Sequence, residues 1–273
     1  MERVLAILND IKTAQSVLAS ARLLMRRLKQ GQLDVLHPRP AVDPDFLPTE
    51  EVWTEERRSR FEARRDQLYD DLNDIFRGWK CEDSAAECQS LRQVVGPPEQ
   101  TIASESRGAD LVIVGQIGSG ASPEIRATLH AALFLDAEAP VVVVPATPPT
   151  NLGKHVAVAW EASPPVKKAV AGMLPILLAA QQVTILIGRE NQEETAPKAL
   201  LHSLEQESVP ARILRFELDG REIGTALLGE AKAAGADLLV MGAFSHNRYL
   251  ERLFGGATEE ILTELNLPIA MHH

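Results

Sequence analysis

Two phrases of this chain occur twice. Gly108-Ala109-Asp110-Leu111-Val112-Ile113-Val114-Gly115 is matched by Gly235-Ala236-Asp237-Leu238-Leu239-Val240-Met241-Gly242, a spacing of 127 residues from Asp110 to Asp237. Ala139-Pro140-Val141-Val142-Val143-Val144-Pro145 is matched by Leu267-Pro268-Ile269-Ala270-Met271, a spacing of 128 from Pro140 to Pro268. Two landmarks at nearly one offset point to an internal duplication. The period has the size of a domain, not of a solenoid repeat. The join falls in the Pro-rich stretch Pro145–Gly153, which separates a first half, 1–147, from a second, 153–273.

Each half alternates strand-like and helix-like segments. In the first, strands are expected at Glu2–Leu8, Gln32–His37, Ser90–Val95, Ala109–Val114 and Pro140–Val144. Helices are expected at Ile11–Lys29, Thr49–Arg77, Pro98–Arg107 and Ile125–Leu135. In the second, strands are expected at His155–Trp160, Gln182–Ile187, Ala211–Leu218, Ala236–Met241 and Pro268–His272. Its helices are expected at Pro164–Ala180, Ala196–Glu207, Arg221–Ala234 and Gly256–Leu265. Such alternation implies an α/β fold with parallel sheets and helices on both faces. The long charged segment Thr49–Arg77 carries apolar residues at helical spacing (Val52, Phe61, Leu68, Leu72, Ile75, Phe76). It reads as a solvated helical arm or a dimer contact.

The most informative stretch for chemistry is Ala236–Thr258. An apolar strand ends at Gly242, a polar loop carries His246, Asn247 and Arg248, and Gly255-Gly256-Ala257-Thr258 opens a helix. The free N–H groups and dipole of a helix start favour an anion. Small residues let a phosphate approach the backbone, and Thr258 adds a hydroxyl donor. A turn with a close packing contact would need the same glycines.

This stretch resembles the nucleotide loop of the universal stress protein family, G-x2-G-x9-G-[ST]. Gly242 takes the first glycine, Ser245 the place of the second and Gly255 the third, while Gly256 stands in the Ser/Thr place with Thr258 nearby. The resemblance covers both halves and implies two tandem open five-stranded parallel sheets of Rossmann-like type. It implies a stress-response regulator binding ATP or a related adenine nucleotide in its second half, with Mg²⁺ accompanying it. Past the first strand of that half, Glu161 stands where the family has an adenine-recognising Asp, and Ile187 and Gly188 where it has backbone contacts to the nucleoside. The implied binding set is Glu161, Ile187, Gly242, Ser245, His246, Arg248, Gly255, Gly256, Ala257 and Thr258, with His246, Arg248 and Arg252 able to balance phosphate charge. Arg252 reads better as exposed loop, and Ser163 as a helix cap ahead of Pro164.

In the first half Gly115-Gln116-Ile117-Gly118 begins the loop, but Thr128-Leu129 occupies the place of the third glycine. Asn9 and Asp10 stand near the adenine position, and Arg126 and His130 read as helix-surface residues. This half is expected to be structural.

Other chemistry lacks its motifs. There is no Walker loop, no G-x-S-x-G elbow and no H-E-x-x-H. Net charge is −10, which argues against a nucleic-acid or anionic-membrane partner. Cys81 and Cys88 are too few for a disulfide framework and suit a reducing cytoplasm. No run reaches the roughly 18 apolar residues of a membrane span. The last strand of each half, Val141–Val144 and Ile269–Met271, leaves an apolar edge. The halves can pair through these edges, and two chains can associate further. The chain is read as a binding protein with at most slow ATP hydrolysis. The alternative is an interaction or scaffold protein of the same fold without nucleotide. A nucleotidyl-transferring enzyme would need a His-rich first turn that neither half has.

Overall fold

A computed structural model describes residues 1–28, 31–42, 54–81, 90–118, 121–134, 139–188, 196–242 and 265–272. The first half runs β1 (Arg3–Ile7), α1 (Ile11–Leu28), β2 (Gln32–Arg39), α2 (Glu55–Cys81), β3 (Leu91–Val95), α3 (Pro98–Glu105), β4 (Leu111–Gly115), α4 (Pro123–Phe134) and β5 (Val141–Val144). The second runs β6 (His155–Ala159), α5 (Pro164–Leu178), β7 (Gln182–Gly188), α6 (Lys198–Gln206), β8 (Ala211–Phe216), α7 (Ile223–Ala233), β9 (Leu238–Gly242) and β10 (Ile269–His272). The expected helix at Gly256–Leu265 lies outside the described residues except for Leu265, which is buried.

The ten strands among the described residues form one sheet in the order β3-β2-β1-β4-β5-β10-β9-β6-β7-β8. Within each half the neighbours are parallel, and the order is the same in both: third, second, first, fourth, fifth. At the centre β5 and β10 pair antiparallel, with Val142 opposite Ala270. The two parallel sheets are thus continuous through one antiparallel seam.

Alternation along the strands sorts the core into two layers. Val4, Ala6, Ile113, Val142, Val158, Val240 and Ala270 face the layer holding α1 and α5. Leu5, Ile7, Val112, Val114, Val143 and Leu239 face the other, with Leu129 of α4 and Ala226 of α7. Strands buried on both faces read as continuous apolar runs, as these do.

The repeated Gly-Ala-Asp has a structural explanation. Gly108 and Gly235 have φ of +72° and +80°, a left-handed conformation that ends the preceding helix and that glycine adopts without a Cβ penalty. The alanine turns back to the helix end: Ala109 N–H donates to the Ser106 carbonyl and Ala236 N–H to that of Ala231. The aspartate then clamps the start of the first strand. Asp110 Oδ2 accepts from the N–H of Glu2 (2.5 Å) and of Arg3 (2.9 Å). Both oxygens of Asp237 lie 3.0 Å from the N–H of Lys154. The motif ties the fourth strand to the first.

The halves also meet beside the seam. Arg27 of α1 donates through Nε to the Leu152 carbonyl (2.5 Å) and through a terminal nitrogen to the Ala179 carbonyl (3.2 Å). Ala179 caps the C-terminus of α5, where a cation is favoured.

Helix α2 differs from the expected arm. It continues past Arg77 to Cys81, and Leu72, Phe76 and Trp79 are buried in the core against α1. Arg22 of α1 stacks its guanidinium 4.7 Å from the Trp79 ring centroid and donates to the Trp79 carbonyl. The helical spacing of the apolar residues reflects this inner stripe; the abundance of charge belongs to the outer face.

Acid is expected to weaken the fold in two stages. Burial lowers the pKa of His37, whose Nδ1 lies 2.8 Å from the Leu8 carbonyl. Burial, aided by the Arg212 charge, also lowers that of His155, whose Nε2 lies 2.8 Å from Thr184 Oγ1. The unfolded chain therefore takes up these protons first. Their contribution is complete above about pH 6.5 and falls as the pH drops from there through the folded-state values. The backbone donors of Glu2 and Arg3 lower the pKa of Asp110. Its contribution holds above the unfolded value near 3.9 and disappears as the pH falls through the folded value. Urea midpoints between about pH 3 and 8 should show both declines, and replacing His37 and His155 by Gln should flatten the first. A midpoint independent of pH between about 5 and 8 would refute the first stage.

Candidate nucleotide site

In an open α/β sheet the ligand crevice lies beyond the carboxyl ends of the strands where the order reverses. In the second half this is the junction of β6 with β9, since the chain leaves β6 for β7 on one side and returns to β9 on the other. The β6–β7 ladder extends to the Trp160 N–H, which donates to Leu186 (2.9 Å). The chain then departs at Glu161, which is half-buried. Ile187 is fully buried in the core, so only its backbone can face a ligand. Gly188 ends β7 and Gly242 ends β9. Glu161, Gly188 and Gly242 thus stand at the carboxyl ends of three adjacent strands. Ser245, His246, Arg248, Arg252, Gly255, Gly256, Ala257 and Thr258 lie outside the described residues.

The first turn of α5 is packed against Gly242. A Cβ there would stand 2.7 Å from Val166 N and 2.9 Å from the Pro165 carbonyl carbon. Gly115 in the first half behaves alike: a Cβ would stand 2.2 Å from Thr13 Oγ1. Thr13 and Val166 are each the third residue of the helix that follows the first strand. In both halves, then, the glycine ending the fourth strand admits the tip of the first helix.

Ser163 occupies the N-cap position of α5 but makes no capping bond. Pro164 and Pro165, the first two helical residues, have no N–H to offer, which leaves Val166 as the donor a cap would use, and no bond to it forms. The Ser163 Oγ is buried without a hydrogen-bond partner. Ser163 thus carries a buried hydroxyl lacking a partner two residues after the half-buried Glu161, a group suited to a hydrogen-bonding ligand.

The first-half crevice carries different groups. Asn9 is buried at the end of β1, and its Nδ2 has no partner. Asp10 caps α1, accepting from the Lys12 N–H at 3.0 Å. Thr128 is buried within α4, which has already begun at Pro123, so the place of the third loop glycine falls inside a helix. Arg126 donates to the Ala121 carbonyl at 3.3 Å. Among the described residues no group of three or more His, Cys, Asp or Glu could hold a metal ion, and no helix is long and apolar enough to cross a membrane.

Against known families, residues 154–273 match the model of the universal stress protein family. The second half is similar to a universal stress protein domain. The whole chain shares its fold with a universal stress protein from Archaeoglobus fulgidus DSM 4304, with a TM-score of 0.70 at 13% identity over 99% of this chain and 95% of that one. A functionally unknown protein from Pseudomonas aeruginosa PAO1 is also similar, with a TM-score of 0.55 at 15% identity over 100% of this chain and 92% of that one. Among curated proteins none matches the sequence. The stretch that matches the family model spans β6 to β10, and the switch-point residues Glu161, Ser163 and Gly242 all lie inside it.

Proposed function

We propose that the universal stress protein domain binds ATP or a related adenine nucleotide at the β6–β9 switch point and acts as a stress-response regulator in the cytoplasm. The observation that carries this reading is the polar pair Glu161 and Ser163, the latter with a buried hydroxyl lacking a partner, at the crevice that α/β folds use for ligands. The nucleoside is held by Glu161, Ser163 and the backbone at Ile187 and Gly188. The phosphates, with any Mg²⁺, fall to the loop from Gly242 through Ser245, His246 and Arg248 to Gly255, Gly256, Ala257 and Thr258. The tip of α5 contributes few donors, since Pro164 and Pro165 lack N–H groups.

That shortage, together with the filled contact at Gly242, favours a second reading: an interaction protein of the same fold that has dispensed with nucleotide. A thermal-shift titration with ATP, with and without Mg²⁺, separates the two. Binding at a hundred times Kd should stabilise the chain by roughly 2.7 kcal/mol, and Glu161→Ala should weaken that response while leaving the unliganded melting temperature in place. Absence of any shift at millimolar ATP would leave the interaction protein. Phosphate released over hours in the same samples measures turnover.

A further inference from the structure

We infer that the outer face of α2 is a self-complementary surface on which a second copy of this chain docks, helix against helix and antiparallel. The inner stripe of α2 is already used by the core, through Phe61, Leu72, Phe76 and Trp79. Opposite it runs a row at spacings of three and four: Glu56, Arg60, Ala63, Gln67, Asp70, Asp74 and Arg77, all exposed. The side chains of Glu56 and Arg60 are 80% and 71% exposed.

The charges in this row are not arranged for a solitary helix. Glu56 and Arg60 pair at 3.2 Å and Asp74 has Arg77 three residues on, but between them like charges adjoin, within the row and on its flank. Arg60 is followed four residues on by Arg64, Asp66 by Asp70, and Asp70 by Asp74. Like charges at this spacing destabilise a helix by roughly 0.2–0.5 kcal/mol each. Asp66 has the Arg39 guanidinium at 2.6 Å, while neither Asp70 nor Asp74 forms an ion pair among the described residues.

A second α2 laid antiparallel about Gln67 sets Arg60 and Arg64 opposite the aspartates that lack an ion pair. Arg60 meets Asp74 of the partner subunit and Arg64 meets the partner's Asp70, while Glu56 falls one residue from the partner's Arg77. The two-fold axis doubles each pair. Small Ala63 beside the axis allows close approach. From Glu56 to Arg77 the contact is about 32 Å long at 1.5 Å per residue.

Charge reversal tests the register. Net charge alone, −10 per chain, would make Asp74→Arg associate more strongly and Arg60→Asp less. Registered pairing requires both to weaken the dimer, by at least about tenfold, since each turns two attractions into two repulsions. The double variant must recover it. Sedimentation velocity from about 5 to about 200 μM reads all four proteins. In a Cys81→Ser, Cys88→Ser background, Gln67→Cys should cross-link to a dimer under mild oxidation, and Glu62→Cys, on the flank, should not. A wild-type chain that stays monomeric to 200 μM, as about the top of that range, overturns the inference. So do a dimer strengthened by Asp74→Arg, a double variant no better than the singles, and a Gln67→Cys chain that does not cross-link.

Discussion

Val142→Asp is expected to be the most damaging single substitution at the seam. Val142 is fully buried, stands opposite Ala270 on the antiparallel partner strand, and belongs to the apolar layer under α1 and α5. A carboxylate there has valine, isoleucine and alanine for neighbours and no water. Burying an unpaired charge belongs to the small class of substitutions that cost on the order of 4–5 kcal/mol. At roughly 2–4 °C per kcal/mol for a chain of this order of size, melting should fall by more than about 10 °C. Differential scanning calorimetry is the suitable measurement, since a chain with two like halves need not unfold in one step. Because β5 and β10 support each other across the seam, every transition should move down. A transition left in place would show that one half holds without the other's edge, and a melting point within about 2 °C of the parent would refute the seam's role.

Gly242→Ala is expected to have the second largest effect, and it bears on function. The added methyl would lie against main-chain atoms, Val166 N and the Pro165 carbonyl carbon, which have no rotamer to escape into. Either α5 lifts at its tip or β9 bends away, at a cost of about 1–3 kcal/mol. The melting temperature should therefore drop by several degrees even without ligand. ATP affinity, where present, should fall with it, because Glu161 and Ser163 are carried by the segment that enters α5. Calorimetry of the apo protein separates the cases: a variant that keeps its stability and loses only ATP binding would assign Gly242 to the ligand and not to the helix contact.

Much of the fold was legible from periodicity. Segments such as Val141–Val144 and Leu238–Val240 are apolar at every position, the pattern of strands covered on both faces, and the repeated phrases marked equivalent places in the two halves. Less legible was why those phrases repeat. The roles of Gly108 and Gly235 depend on a backbone angle, and those of Asp110 and Asp237 on partners more than eighty positions away; neither is a local property. Helix α2 shows another limit: its composition is dominated by the exposed face, which hid the depth to which Phe76 and Trp79 are buried. At the candidate site, Glu161, Gly188 and Gly242 were placed correctly at strand ends, because a strand's end is a local signal. Ser163 was read as a cap from its type and position and does stand at the N-cap of α5, but its side chain makes no capping bond. The contact of Gly242 with α5 joins segments far apart in the chain and left no local trace.

The antiparallel seam has a geometric consequence. Strands of the first half point their carboxyl ends one way, and those of the second half point the other. The crevice beside Asn9 and the one beside Glu161 consequently open at opposite rims of the same ten-stranded plate. A ligand at one rim would therefore lie across the width of the sheet from any group at the other.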